Sequence, residues 1–305
     1  MQETDFVNME LNEVVIKKIS PILPQRSDLH LYMLRLDALH PIVSGNKLFK
    51  LKYYLEQALQ STHRTLLTFG GAYSNHLAAT AYAAREAGLR SIACVRGEEG
   101  RKPSHTLDFC RSQQMEIHFM ERELYRQISE TPHEDFLTSR FGPHITIPSG
   151  GFGVMGARGA RDIADFIPEN SFSHICVAVG TATTLAGLLM AGRKEKIIAF
   201  PALKGMTDIP ERLRKLTVQN TIQPEVMQDY SFGGFGKWNM DLISYMNRFY
   251  KVNNIPLDFV YNAKMMFGIT DLIRKGFFPP GSHILAIHTG GLQGNDSLPA
   301  NLLAF

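Results

Sequence analysis

The run His174-Ile175-Cys176-Val177-Ala178-Val179, followed by Gly180-Thr181-Ala182-Thr183-Thr184 and an apolar stretch over 185–191, constrains the fold of this chain most tightly. A strand that is apolar on both faces must be covered on both, as a central strand of a parallel sheet is covered by its crossover helices. The same succession recurs at Thr65-Leu66-Leu67-Thr68-Phe69, Gly70-Gly71 and an alanine-rich segment over 74–84 closed by Gly88. Strand, glycine turn and helix in repetition predict an α/β protein. Further strands are expected at 29–36, 91–95, 116–120, 145–147, 196–200 and 283–288. Helices are expected from Lys47 to about 59, with Asn46 as the N-cap, and over 103–114, 121–140, 154–166, 208–219, 238–252 and 263–275. The glycine-rich run 149–153 reads as a crossing between two lobes, and 230–236 as a glycine-aromatic loop.

At 305 residues the chain is long enough for two lobes with real cores. A hydrophobic fraction of 44%, a charged fraction of 20% and a net charge of +3 give no reason to expect nucleic acid or a membrane as partner. No stretch approaches the roughly 18 apolar residues of a membrane span, and MQETDFVNME lacks the basic-then-apolar order of a secretion signal, so a cytoplasmic protein is expected. Cys94, Cys110 and Cys176 are odd in number and sit in apolar segments, which suits reduced core thiols. The histidines show no metal-ligand spacing, so no metal is expected.

In open parallel sheets, ligands lie beyond the carboxyl ends of the strands. Four polar-glycine segments fall at such turns: 44–47, 70–76, 180–184 and 289–291. At a helix N-terminus the Lys47 amine would sit in a positive field that favours its neutral, nucleophilic form; taken alone, it reads rather as part of a solvated basic edge with Lys50 and Lys52, because charged residues are mostly exposed. Glycine followed by small hydroxyl residues and a helix start, as at 180–184, makes an anion cradle or an ordinary strand-to-helix turn. Neither GxxxxGK nor GxGxxG is present, so a phosphate smaller than a nucleotide is favoured. A neutralisable amine, a phosphate cradle and glycine turns are together the requirements of pyridoxal phosphate.

Four segments resemble a single family that uses this cofactor. SGNKLFKLKYYLEQAL resembles the GGNK-x-RKLEYL signature of the 1-aminocyclopropane-1-carboxylate deaminase and D-cysteine desulfhydrase family. GGAYSNHLAATAYAAREAGL is similar to its GG-x-x-SN[HQ]-x-RQ-x-AA segment, AVGTATTLAGL to its AVGSGGT-x-AGL phosphate loop, and PLDFVYNAKMMFGITDLIRKGFFPPGSHILAIHTGG to its carboxyl-terminal block. The match is collinear over about 29–295.

The resemblance implies the two-lobed pyridoxal-phosphate fold type II, similar to the tryptophan synthase beta subunit. Each lobe is then an open, mostly parallel twisted sheet flanked by helices. Residues 1–50 with 158–305 would form a large cofactor-binding domain and 51–157 a small one. It further implies Lys47 as the Schiff-base lysine, Asn75 against the ring hydroxyl, Gly180, Thr181, Ala182, Thr183 and Thr184 around the phosphate, and Thr289 facing the ring nitrogen. Ser74, Asn75 and His76 would receive the carboxylate of a small amino-acid substrate, and Tyr261 would lie beside it as acid, base or nucleophile; Lys47, Ser74 and Tyr261 are thus the expected catalytic residues. A homodimer that releases ammonia and a 2-oxo acid is expected. A neutral threonine at the ring nitrogen favours elimination and deamination over transamination.

The chain departs from the family pattern at several positions. Asn262 stands where cyclopropane-opening members carry glutamate, Phe235 where they carry a second tyrosine, and Leu77 and Ala78 where an arginine is usual nearby. Ala182 and Thr183 replace glycines, which requires a backbone there without positive φ. A catalytically divergent or inactive cofactor-binding relative is the alternative, and a dinucleotide enzyme is disfavoured by the missing fingerprint.

Overall fold

The computed structural model describes residues 9–22, 28–98, 104–129, 131–216 and 223–305. Two sheets organise them. The first half supplies β1 (Ile16–Ile19), β2 (His30–Arg35), α1 (Asn46–Gln60), β3 (Thr65–Gly70), α2 (Asn75–Glu86), β4 (Arg90–Arg96), α3 (His105–Ser112), β5 (Glu116–Met120), α4 (Arg122–Ile128), α5 (Glu134–Phe141) and β6 (Ile145–Ile147). The second supplies α6 (Val154–Arg161), β7 (His174–Val179), α7 (Thr183–Met190), β8 (Lys196–Pro201), α8 (Ile209–Lys215), β9 (Glu225–Val226), α9 (Met240–Asn253), α10 (Asn262–Arg274) and β10 (His283–His288).

The six-stranded sheet runs β1-β2-β10-β7-β8-β9 and is parallel except for β1, which lies antiparallel on β2. The four-stranded sheet, β5-β4-β3-β6, is parallel throughout. Strand alternation explains the apolar runs. In β7, Ile175, Val177 and Val179 enter one core while Cys176 and Ala178 enter another, and β10 divides in the same way. The first core takes Leu48 and Leu51 of α1, Ala157 and Ala160 of α6, and Leu185 and Leu188 of α7; the second takes Leu242 and Met246 of α9 and Met266 and Ile269 of α10. On the small sheet, Leu67 and Phe69 pack with Tyr125 and Leu137 on one face, and Ala93 and Val95 pack with Leu77, Ala81 and Leu107 on the other.

Several expectations change. The segment 121–140 is two helices rather than one, since α4 ends at Ile128 and α5 begins at Glu134 with Pro132 between them. Proline removes a backbone donor and drives the residue before it out of the helical region. Asn46 is the first residue of α1, not its N-cap; Gly45 holds that place at φ 67°. The strands β1 and β9 went unforeseen: β1 is an edge strand whose Lys17 and Lys18 break the apolar pattern, and β9 is only two residues long. Pro103, residues 217–219 of the helix expected over 208–219, and positions 1–8 of the N-terminal segment lie outside the described residues. The three cysteines are buried and free, and burial pushes the Cys94 and Cys110 thiols up to about 12. No helix among the described residues is long and apolar enough to cross a membrane.

Helix α6 reaches α1 through glycine. A Cβ on Gly159 would stand 1.9 Å from the carbonyl oxygen of Phe49, so the two backbones approach to a distance that no side chain permits. Because α1 carries Lys47, this crossing also seats the site. Gly159→Ala should therefore force the helices apart and cost about 1–3 kcal/mol or more in chemical denaturation. An unchanged denaturation midpoint would show that the crossing is not close-packed.

Candidate active site

The four glycine turns meet at the carboxyl ends of β2, β3, β7 and β10. At the start of α1, a Cβ on Gly45 would stand 2.0 Å from the Thr289 carbonyl oxygen, and the Asn46 N–H donates to that same oxygen at 3.2 Å. Only a glycine with positive φ allows this contact between the turn at 44–47 and the one at 289–291. From there Asn46 reaches in two directions: its Nδ2 donates to Thr184 Oγ1 at 2.8 Å, and its Oδ1 accepts from Lys47 Nζ at 2.8 Å. Gly180 lies under Tyr261, whose ring and hydroxyl would be 3.0 and 3.2 Å from a Cβ placed there. Asn75 Nδ2 donates to the Gly291 carbonyl at 3.1 Å. Lys47, Asn75, Gly180, Thr181, Ala182, Thr183, Thr184, Tyr261 and Thr289 thus belong to one cleft. Ser74 caps α2, accepting from Leu77 N–H at 3.4 Å, and His76 is buried in the first turn behind it.

Electrostatics in the cleft are set first by burial. The Lys47 amine keeps some exposure to the cleft but is surrounded by protein, and desolvation lowers it to about 8 against the opposing pull of Asp258. Desolvation, rather than the helix-terminal field expected from the sequence, is the larger cause. One turn on, Lys50 is buried with its Nζ 3.3 Å from the Gly150 carbonyl; desolvation and then the Lys47 charge hold it well below the ordinary lysine range. Desolvation keeps the Tyr261 phenol protonated far above its usual range, with Asp258 adding to the effect.

His76 has a definite tautomer. Thr68 Oγ1 donates to the Ile147 carbonyl at 2.9 Å, so it must accept the His76 Nε2–H at 2.8 Å, which leaves Nδ1 as a bare acceptor without a partner. Burial, followed by the charges of Lys47 and Lys50, lowers this imidazole to about 3, and it is neutral.

Asp258, which the sequence reading missed, anchors the remaining wall. Its carboxylate accepts the N–H groups of Val260, Tyr261 and Asn262 at 3.1, 2.7 and 2.9 Å and also the Asn262 side-chain amide. Desolvation still raises its carboxyl group above the usual range, against those hydrogen bonds. Asn262 then donates to the Gly290 carbonyl at 2.9 Å, and its Oδ1 accepts from Thr289 N–H and Oγ1 at 3.0 and 3.3 Å. The only sequence signal for Asp258 was an acidic residue inside an apolar stretch, PLDFVYN; for Lys50 it was helical spacing from Lys47.

One expectation about the anion turn is overturned. Ala182 lies at φ 65° and ψ 0°, in the left-handed region that its methyl group was expected to exclude. That conformation costs a non-glycine residue about 1–2 kcal/mol, and here it aims the chain into α7 at Thr183. The Thr181 and Thr183 hydroxyls lie 2.9 Å apart, and a Cβ on Gly150 would stand 2.9 Å from the Thr181 methyl. Hydroxyls and first-turn N–H groups suit a phosphate, Lys47 suits an aldehyde, and the buried, unpartnered Asn75 Oδ1 suits a hydroxyl donor. The residues present therefore fit pyridoxal phosphate.

Comparison with known proteins agrees with that fit. A protein of Pyrococcus horikoshii that bears the provisional name 1-aminocyclopropane-1-carboxylate deaminase is 32% identical over 272 residues, which cover 83% of this chain and 81% of that one. The D-cysteine desulfhydrase of Klebsiella pneumoniae subsp. pneumoniae is 28% identical over 298 residues, 88% and 90% of the respective chains. A crystal structure described as an ACC deaminase homologue superposes with a TM-score of 0.77 at 28% identity, covering 93% of this chain and 90% of the other. The threonine deaminase isoform 2 of Solanum lycopersicum, at 17% identity and a TM-score of 0.64, shares the fold. The family model described as pyridoxal-phosphate dependent enzyme matches residues 19–290, and the chain belongs to that family.

Proposed function

We propose that this chain is a deaminase or lyase of a small amino acid, of the 1-aminocyclopropane-1-carboxylate deaminase or D-cysteine desulfhydrase type, and that it releases ammonia and a 2-oxo acid. The observation that carries the reading is the bridge from Lys47 Nζ through the Asn46 amide to Thr184 Oγ1, which sets a neutralisable amine beside a hydroxyl-lined anion turn. Pyridoxal phosphate, when bound, supplies the electron sink for breaking bonds at the substrate α-carbon.

The chain supplies everything else. Gly180, Thr181, Ala182, Thr183 and Thr184 hold the phosphate, Asn75 meets the ring hydroxyl, and Thr289 faces the ring nitrogen. Lys47 carries the cofactor and moves the α-proton at Nζ. The first N–H groups of α2, with the Ser74 hydroxyl, receive the substrate carboxylate; His76 cannot donate to it from Nδ1, so its contribution is its backbone. Tyr261 holds its proton and serves as a donor. In this reading residues 51–157 form the small lobe, which brings Ser74, Asn75 and His76 to the amine and anion turn carried by the large lobe of 1–50 and 158–305.

Elimination is favoured over ring opening. Both polar ends of the Asn262 side chain are occupied by Asp258, Gly290 and Thr289, so it offers no group to a substrate, and Phe235 brings no hydroxyl. A cytoplasmic homodimer completes the reading, and three buried, unpaired cysteines suit a reducing compartment.

The test is a screen for ammonia release from D-cysteine, L-cysteine, D-serine and 1-aminocyclopropane-1-carboxylate. Turnover is expected with a cysteine or serine and not with the cyclopropane; full cofactor occupancy without any turnover would leave a binding protein instead. Lys47→Ala should abolish both turnover and the visible absorbance of lysine-bound cofactor, and a retained band would assign the cofactor to another amine.

Lys47 should also titrate unusually. With its amine at about 8, roughly half of it is neutral at that pH, against about 0.3% for an ordinary lysine. Acetylation of the cofactor-free protein in competition with a reference amine should therefore rise through pH 8 and level off above it. A rise that continues to pH 10.5 would mean that burial does not neutralise this group.

A further inference from the structure

Lys264 has no part in the mechanism above, yet it is a buried lysine one turn into α10 from Tyr261. It is 2% exposed, and its Nζ donates to the carbonyls of Ser231 and Gly234 at 2.8 and 2.7 Å. Those carbonyls belong to the glycine-aromatic loop, where Phe232, Gly233, Gly234 and Gly236 all have positive φ. The loop is packed unevenly: Phe232 sits edge-on to Phe267 against the second core, while Phe235 projects outward with 57% of its surface exposed. On the site side Phe235 meets the Tyr261 ring, 5.9 Å between centroids at 69°. A single helix therefore presents Tyr261 to the anion turn and Lys264 to the loop that places Phe235 on Tyr261. Desolvation lowers the Lys264 amine to about 8 with Asp258 opposing, as expected for a cation held inside for the carbonyls it satisfies.

We propose that Lys264 is a positioning residue that clamps the 231–236 loop from beneath, so that Phe235 walls the Tyr261 side of the cleft mouth where a substrate side chain enters. The two carbonyls already accept the backbone N–H groups of Gly234 and Lys237 at 3.0 and 3.1 Å, so what the ammonium adds is the tie from the loop to α10; without it the loop keeps its own turns but loses that tie and can lift. Trp238, the single tryptophan of the chain, is half-buried just beyond the loop and reports on that movement.

The experiment uses the cofactor-loaded enzyme. Lys264→Met keeps the length and apolar bulk of the stem and removes the donors. The acrylamide quenching constant of Trp238 should rise about twofold, and KM for the best substrate of the screen about tenfold, with kcat within about twofold. Lys264→Arg should bring both back toward the parent values, and Phe235→Ala should raise KM while leaving quenching unchanged. If Lys264→Met loses its circular dichroism spectrum, Lys264→Gln is judged by the same criteria. Parent-like quenching in a folded Lys264 variant, or kcat falling together with a parent-like KM, would overturn the clamp. The KM measurement rests on the deaminase or lyase reading; the quenching does not, so failure of that reading leaves the clamp to be decided by Trp238.

Discussion

The Asn46 side chain is the interaction on which the rest of the site depends. Its amide is at once acceptor for Lys47 Nζ and donor to Thr184 Oγ1, so one planar group fixes the spacing between an amine on α1 and the anion turn ahead of α7. Neither helix could settle that spacing alone, because lysine has four rotatable bonds and a threonine hydroxyl spins freely. The glycine before Asn46 makes the arrangement possible, since the backbone there presses on Thr289 at a distance that excludes any Cβ. Three strand ends are therefore locked together by two adjacent residues, one with no side chain and one with a bifunctional side chain.

Charge in the cleft follows from the same compactness. Lys47 and Lys50 lie a turn apart, each desolvated; the Lys47 charge further disfavours the Lys50 ammonium, while the buried Asp258 opposes the lowering of Lys47 but does not win. Its own carboxylate is tied up by four donors at the start of α10, so its field is already committed to that helix terminus. His76 is kept neutral first by burial and then by the charges of the two lysines, with its one proton fixed toward Thr68. The outcome is a polar pocket in which most titratable groups stand in their uncharged or weakened form, as covalent chemistry with an aldehyde requires.

Much of this was legible in the sequence because it depends on local rules. Apolar runs ending in glycine and small polar residues located the strand ends at 70, 179 and 288, and helical spacing after Gly45 located Lys47, whereas Asn75, Tyr261 and Thr289 were singled out through the family resemblance. What was not legible depends on tertiary contact. The sequence places Lys50 and Lys264 on helices but cannot say that they are buried, and Asp258 in an apolar run reads no differently from a surface turn. Asn46 was misread for a related reason: its residue type suits an N-cap, but a glycine in the left-handed region starts the helix one residue earlier and frees the asparagine for the cleft. The short edge strands escaped because pairing, rather than sequence pattern, defines them.

Ala182 and Asn262 show how departures from a family pattern can be absorbed without dismantling the site. Ala182 accepts, at some cost in strain, the left-handed backbone that a glycine would take freely, and from it the chain enters α7 at Thr183. Asn262 stands where the family pattern has a longer glutamate, and a neutral amide can do what a charge beside the buried Asp258 could not: donate to that carboxylate while accepting from Thr289. A glutamate in its place would set two carboxylates against each other in a desolvated pocket and force one of them to hold a proton. Asn262 thus serves this chain as the group that ties the start of α10 to the Thr289 turn.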